Sequence, residues 1–284
     1  MARRAGPSVR SRRLAVELRK LRQKAGMTGD ALAKAVGMSP SKVSRVEHCE
    51  AGIYLDEVEK LLDFHRVSKR KRVELLDIAR HAQERGWLRV NNPSLPKDWQ
   101  AWLDFEAEAN ALSMYTPLTI PGLLQTSEYA RAIIEATGTW LSDNEIDAMV
   151  ASRMSRQGLL SRSTPLRLDT VIEESVLTRP LGDPEMQARQ LRHLVNSAHR
   201  PNITIRVLPH AAGLHAGLNG PFVMLDYDDE TSLVLVETRV SSLFLDEQEH
   251  IDDYEAVWHQ LSDLAFDLGE TTEFLRKAAD RLAL

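Results

Sequence analysis

GDALAKAVGMSPSKVSRVE, Gly29 to Glu47, decides the fold. Two short helices joined by a tight turn need a small residue on the first, a glycine in the turn and an apolar residue on the second that faces back. Ala33, Gly37 and Val43 meet these needs: Ala33 permits close approach, Gly37 tolerates positive φ, and Val43 with Val46 forms an inner face. Leu32, Val36 and Met38 complete the small core. Ser39 fits a helix N-cap and Pro40 the first helical position, where a missing N–H costs nothing. Ser41, Lys42, Ser44 and Arg45 then fall on the outer face, all able to donate hydrogen bonds to phosphates or base edges.

Upstream, Leu14, Leu18, Leu21 and Ala25 recur at helical steps after an Arg-rich arm, and Gly26 stops that helix. Downstream, Tyr54 to Phe64 and Ser68 to Arg85 read as further helices, so the spacing predicts an all-α, five-helix module. Asn91, Asn92, Pro93, Ser94 and Pro96 mark a connector. The predicted organisation is a basic arm over 1–12, the helical module over 13–88, a connector over 89–98 and a larger domain over 99–284.

Charge divides along the same line. Residues 1–90 hold 21 Lys+Arg against 11 Asp+Glu, a net +10, whereas residues 91–284 hold 15 against 30, a net −15. The basic part suits a polyanion such as nucleic acid, and the acidic part would be repelled by one. The 284 residues suffice for about two domains and include one cysteine, Cys49, which excludes an internal disulfide and reads as structural. No apolar run approaches the roughly 20 residues of a membrane helix, and MARRAGPSVRSRR is followed by no signal-peptide h-region. The expected location is the cytoplasm, in association with the nucleoid and not the membrane.

In the larger domain, LRLDTVIEE, ITIRVLP, PFVMLDY and SLVLVE carry the alternation and β-branching of strands. Asp183 and Pro184 look like the N-cap and first turn of a helix running to about His199, a candidate crossover between the first two strands. Ser142 and Glu145 form a capping-box pair. MYTPLTIPGLLQTSEYARAII reads as a proline-rich entry into another helix, and two helices close the chain. The expected class is mainly α, α+β overall: the all-α module followed by a larger α+β domain with a roughly four-stranded sheet.

GDALAKAVGMSPSKVSRVE resembles the helix-turn-helix of the Xre/Cro/C1-type repressor family, over about Arg13 to Phe64. The resemblance implies that the second helix enters a major groove and that Pro40, Ser41, Lys42 and Arg45 fall at base-reading positions, while Thr28 and Gly29 meet the backbone. The family commonly has glutamine at the position of Gly29, so that phosphate clamp is either missing or supplied by Thr28 and Lys34. The candidate DNA-binding set is Thr28, Gly29, Lys34, Ser39, Pro40, Ser41, Lys42, Ser44 and Arg45. Arg3, Arg4, Arg10, Arg12 and Arg13 either reach phosphates or a minor groove or are simply solvated.

From about Trp99 to Leu282, YTPLTIPGLLQTSEYARAI, RMSRQGLL, VIEESVLTRPLG and ITIRVLPHAAGLHAGLNGPFVML resemble the C-terminal domain of unknown function carried by many actinobacterial Xre-type regulators. The resemblance implies a transcriptional regulator, and in that family the genes often neighbour one for a small protein.

No catalytic constellation has a specific spacing. Glu173 with Glu174 suits a helix cap, His210 and His215 stand five apart without cysteines, and GLNGPF lacks a P-loop lysine. The chain is read as no enzyme, with no cofactor and no metal. PGLLQTSEYA is either a packing elbow or a pocket wall. Arg153, Arg156 and Gln157 are expected to meet Glu173 or Glu174, as a buried ion pair or as a ligand or partner site. Trp99, Trp102 and Phe105 read as core or a dimer interface. The expected function is sequence-specific binding of double-stranded DNA, as a dimeric repressor on an operator with approximate dyad symmetry. Its C-terminal domain would sense a small-molecule effector or bind a partner protein. The alternative is an antitoxin-like module that sequesters a small protein encoded by a neighbouring gene and autoregulates its operon.

Overall fold

The computed structural model describes residues 9–48, 54–80, 87–90, 100–138, 141–228, 232–239 and 241–282. Arg3, Arg4, Cys49, Trp99 and the connector residues 91–98 lie outside them. The chain divides into two compact units, Met1–Phe105 with Asp229–Ile251, and Glu106–Asp228 with Asp252–Leu284. The segment 229–251, inside the expected 99–284 domain, groups with the first unit.

The first unit holds helices α1 (Val9–Lys24), α2 (Gly29–Val36), α3 (Pro40–Glu47), α4 (Leu55–Phe64) and α5 (Lys69–Arg80). Their apolar stripes converge on one core, in which Leu14, Leu18, Leu32, Ala33, Val43, Val46, Val58 and Leu75 are buried. Gly26 and Gly37 take the left-handed conformation, φ 65° and 70°, that ends α1 and α2. Strands β1 (Trp87–Val90), β6 (Leu233–Glu237) and β7 (Ser241–Leu245) pair antiparallel in the order β1-β7-β6. Trp102 and Phe105 are buried, and Phe105 packs on Phe244 at 5.5 Å between ring centroids.

Arg12 and Arg13, read from sequence as part of a basic arm or its edge, are buried within α1 at 3% and 2% exposure. Arg13 pairs with Glu17 at 2.7 Å and Lys71 joins the same carboxylate at 2.8 Å, tying α1 to α5. Burial opposes the Glu17 charge, but Arg13 and Lys71 outweigh it and hold the carboxyl below its ordinary range. The basic character of this edge is therefore partly structural.

The second unit is a sheet ordered β5-β2-β3-β4, made of β2 (Ala111–Thr116), β3 (Arg167–Glu173), β4 (Ile203–Leu208) and β5 (Phe222–Asp226). Strands β2, β3 and β4 are parallel, and β5 runs antiparallel beside β2. Helix α10 (Pro184–Ser197) is the crossover from β3 to β4, with Asp183 accepting from the Met186 N–H as its N-cap and Pro184 in its first turn. Helix α12 (Leu268–Leu282) packs beside α10, and α11 (Gln248–Leu264) precedes it. Val171, Ile172, Ile205, Val207 and Leu208 are buried, as expected for parallel strands covered on both faces. Strand β2, whose last residues fall in the stretch read from sequence as a helix entry, and strand β7 raise the strands described within 99–284 from the expected four or so to six.

Between β2 and β3 lie α7 (Ser127–Thr137) and α8 (Asp143–Arg156). Helix α8 starts on the Ser142–Glu145 capping box, with the Ser142 N–H donating to Glu145 at 2.8 Å. Helix α6 (Gln100–Glu108) precedes β2, and the five-residue α9 (Glu174–Thr178) follows β3.

Candidate nucleic-acid interface

The order of small, turning and capping residues builds α2 and α3 locally. Thr28 Oγ1 accepts from the Ala31 N–H at 3.2 Å, and the Met38 N–H reaches Ala33 O at 2.9 Å to close α2 around Gly37. Ser39 Oγ accepts from the Lys42 N–H at 3.2 Å, and Pro40 opens α3. Ala33 is 0% exposed, which is what lets α2 and α3 approach. Pro40, Ser41, Ser44 and Arg45 are exposed on α3, as are Lys34 on α2 and the N-caps Thr28 and Ser39, whereas Gly29 is half-buried. Arg45 Nε leans on Ser41 O at 3.3 Å and leaves the rest of the guanidinium to solvent. These side chains are exposed on or just before two helices whose buried residues, Leu32, Ala33, Val43 and Val46, belong to the core.

Lys42 departs from the expected outward set. Its Nζ pairs with Glu57 on α4 and lies 5.2 Å from the centre of the Tyr54 ring. Glu57 also accepts from the Tyr54 N–H at 3.2 Å, so one carboxylate starts α4 and holds the side of α3. A helical wheel places Lys42 at the border of the outer face, and its long stem is free to turn sideways.

The other end of α3 is pinned by residues the sequence reading passed over. Glu47 accepts from Arg22 Nε at 2.8 Å and Nη2 at 2.7 Å, Arg22 Nη1 donates to Met27 O at 2.8 Å, and Arg19 Nη2 donates to Glu47 O at 2.6 Å. Hydrogen bonds from Arg22 to Glu47 raise the guanidinium above its ordinary value, against a smaller opposing effect of burial. The signal available in the sequence was Glu47 itself, an acidic residue next to Val46 on the inward side of α3.

In the second unit, the expected meeting of Arg153, Arg156 and Gln157 with Glu173 or Glu174 does not occur. Arg156 Nε and Nη2 instead clasp Glu106 of α6 at 2.6 and 2.5 Å, with the carboxylate only 1% exposed. Arg153 donates to Gln125 Oε1 at 2.9 Å, and Gln157 Nε2 donates to Gln125 O at 2.6 Å. Gln125 Nε2 donates to Ile120 O at 2.7 Å, and the fully buried Gln190 accepts from the Thr126 N–H and donates to Leu124 O. These amides satisfy main-chain groups over residues 120–126, which makes that segment a packing elbow.

Glu173 belongs to a different cluster, at the C-terminal ends of β2 and β3. Tyr115 Oη donates to Glu173 Oε1 at 2.5 Å, and His215 Nε2 lies 3.3 Å from the same oxygen. Burial first, and then Glu173, push the Tyr115 hydroxyl far above its ordinary value, so it stays a donor. Glu174 accepts from the His210 N–H at 2.9 Å. The two histidines therefore fasten the 209–221 loop to the two carboxylates. Among the described residues no three His, Cys, Asp or Glu side chains are placed to hold a metal ion, and no helix is long and apolar enough to cross a membrane.

An exposed polar helix seated on a five-helix core, following a glycine turn, defines a DNA-binding protein of the helix-turn-helix class. Residues 13–75 match a family described as a helix-turn-helix domain, and residues 99–277 match the "Domain of unknown function (DUF5753)". That second match covers more than half of the chain, which belongs to this family of C-terminal domains and carries the helix-turn-helix ahead of it. No curated protein matches the chain. A solved structure of TrmBL2, described as an archaeal chromatin protein that shows a novel mode of DNA binding, is 12% identical with a TM-score of 0.30, over 81% of this chain and 72% of that one.

Proposed function

We propose that this DNA-binding protein is a sequence-specific transcriptional regulator of Xre type, a dimeric repressor whose second unit receives a signal. The observation that carries the reading is a helix held from both sides, by Lys42 to Glu57 and by Glu47 to Arg22, that still exposes Ser41, Ser44 and Arg45. A helix fixed in this way presents its outer side chains in one geometry, which base readout requires. Residues 1–90 supply the net positive charge that draws in a phosphate backbone. A two-fold dimer would set two such helices about one DNA turn apart and favour a dyad-symmetric operator. No catalytic role is assigned to any residue in this reading.

Selection of bound sequences from a random duplex pool, followed by fluorescence anisotropy, tests it. Arg45→Ala is expected to cost about 1–3 kcal/mol on the selected site and to relax preference at one base pair, and affinity should fall steeply with salt. A binding profile unchanged by the substitution, or flat with salt, would sink the docking.

A second reading has its own observation. In the loops that follow β2 and β4, Leu118, Leu214 and Leu218 are 64%, 91% and 64% exposed. Such leucines suit a protein partner, as in an antitoxin-like module that sequesters the product of a neighbouring gene. Co-expression with that product and a pull-down through Leu214→Asp decides it: loss of capture on substitution supports the module, and no capture by the intact chain dismisses it.

A further inference from the structure

Helices α10 and α12 of the second unit leave between them an open cleft of about 410 Å³. Its floor is apolar, made by Val195 and Ala279, and its rim carries Arg192, Asn196 and His199 on one side and Arg276 and Asp280 on the other. Arg192, Asn196 and His199 succeed one another at steps of four and three, one face of α10 and the turn that follows it. Arg276 and Asp280 stand one turn apart on α12.

Guanidinium groups without an ion pair among the described residues occur elsewhere in the unit, at Arg167, Arg179 and Arg281, but Arg192 and Arg276 line one concavity together, while other arginines are neutralised. Arg189 and Arg206 each meet a carboxylate, at 2.9 and 2.6 Å, and Arg131 pairs with Asp147. The Arg192 and Arg276 guanidinium groups are exposed and, among the described residues, make no ion pair and no hydrogen bond. They line the cleft from its two helices, with His199 beside Arg192, within a stretch, 91–284, that carries a net charge of −15. Unneutralised guanidinium forks converging on one concavity attract and orient an oxyanion, and the surrounding acidic surface repels one that docks anywhere else. The volume lies in the range of a small-molecule site, about 300–1,000 Å³.

We propose that this cleft binds a small multivalent oxyanion, a phosphate ester or a polycarboxylate, that also carries a hydroxyl or ammonium donor. Arg192 and Arg276 hold its negative oxygens from the two walls, and Asn196 and His199 add hydrogen bonds. Asp280 accepts from the donor and disfavours ligands that are anionic over their whole surface. Val195 and Ala279 floor the site against a short carbon chain. An extended nucleic-acid backbone fits poorly, because it would bring phosphates onto Asp280. The site gives the signal-receiving role a location. Only its regulatory consequence rests on the repressor reading, since occupancy requires no DNA.

Titration calorimetry on the full chain, without DNA and at low constant ionic strength, tests the proposal with pyrophosphate, O-phosphoserine and citrate. At least one probe should bind at one site per chain. Phosphate or carboxylate probes prevailing tells which oxyanion is preferred. Arg192→Gln and Arg276→Gln should each weaken that probe about tenfold, one charge-assisted contact each, and the double variant should abolish measurable binding. Lys277→Gln, on the same helix but paired with Glu273, should leave it unchanged. Asp280→Asn should tighten pyrophosphate and not O-phosphoserine. A thermal midpoint within a degree or so of the parent for the double variant shows that folding is not what was lost. Absence of binding by all three probes at millimolar concentration overturns the proposal, as does binding that the double variant retains. It is equally overturned if that variant alters only DNA affinity and its salt dependence, which would make these arginines phosphate contacts of the duplex. The repressor reading survives each of those failures, because its own test is made on DNA with Arg45→Ala.

Discussion

Replacing Glu47 by alanine separates what holds α3 from what α3 reads. The Glu47 side chain is 5% exposed and that of Arg22 is 17% exposed, with three N–H to oxygen distances of 2.7 to 3.1 Å between them. Removing one partner of a buried pair strands the other charge, at a cost of about 3–5 kcal/mol. Arg22 keeps its bond to Met27 O and some contact with water, so the lower end, about 3 kcal/mol, applies. For a cooperative domain of about 60–100 residues each kcal/mol lowers the melting midpoint by about 4–8 °C, so the first-unit transition should fall by roughly 12 °C or more. Differential scanning calorimetry of the full chain reads that transition. The double replacement Arg22→Met with Glu47→Leu removes both charges and restores apolar volume, and it should recover most of the loss. A single substitution costing less than about 1 kcal/mol, or a double variant no more stable than Glu47→Ala, would refute the assignment of this pair as the anchor of α3.

Three other outcomes follow from the geometry. A Cβ at Gly217 would stand 2.6 Å from the Tyr115 ring, so Gly217→Ala should displace the 209–221 loop and cost about 1–3 kcal/mol in urea denaturation, and an unchanged midpoint would contradict that packing. Burial lowers the pKa of His65 and, with a smaller contribution from Arg200, that of His193, both from an ordinary 6.5. The unfolded chain then binds protons that the folded one refuses, so stability present above about pH 6.5 should decline as pH falls through that value; denaturation between pH 7.5 and 5 checks the slope, which should not be flat. Because Lys42 already faces Glu57 and Tyr54, Lys42→Met should lower DNA affinity less than about threefold, well short of the Arg45→Ala effect; a tenfold loss in anisotropy would return Lys42 to the reading face.

The parts of the fold legible in the sequence are those set by neighbours in the chain. Gly37, Ser39 and Pro40 announce the turn and the start of α3, Ser142 with Glu145 announces α8, and Asp183 with Pro184 announces α10. Strand β2 was illegible because its residues, ALSMYT, carry little β-branching, and what makes them a strand is pairing with β3 on one side and β5 on the other. The partner of Arg156 was illegible for a similar reason. A guanidinium announces that it wants a carboxylate but not which one, and Glu106 lies 50 residues away while Glu173 is nearer in sequence. Lys42 was misplaced because helical periodicity assigns a Cβ direction, whereas a four-carbon stem chooses where its charge ends. Arg12 and Arg13 were misplaced because a run of cations looks alike whether it is solvated or folded under a helix.

The tethering of α3 also bears on how this protein can change. The residues that fix the helix, Lys42 and Glu47, are distinct from Ser41, Ser44 and Arg45, which project from it. Substitutions at the three projecting positions leave caps, core and anchors intact. A lineage can therefore drift from one target sequence to another through soluble, folded intermediates. A library randomised at 41, 44 and 45 should consequently yield mostly folded members with dispersed sequence preferences, and the same diversity at 22 and 47 should yield mostly unstable ones.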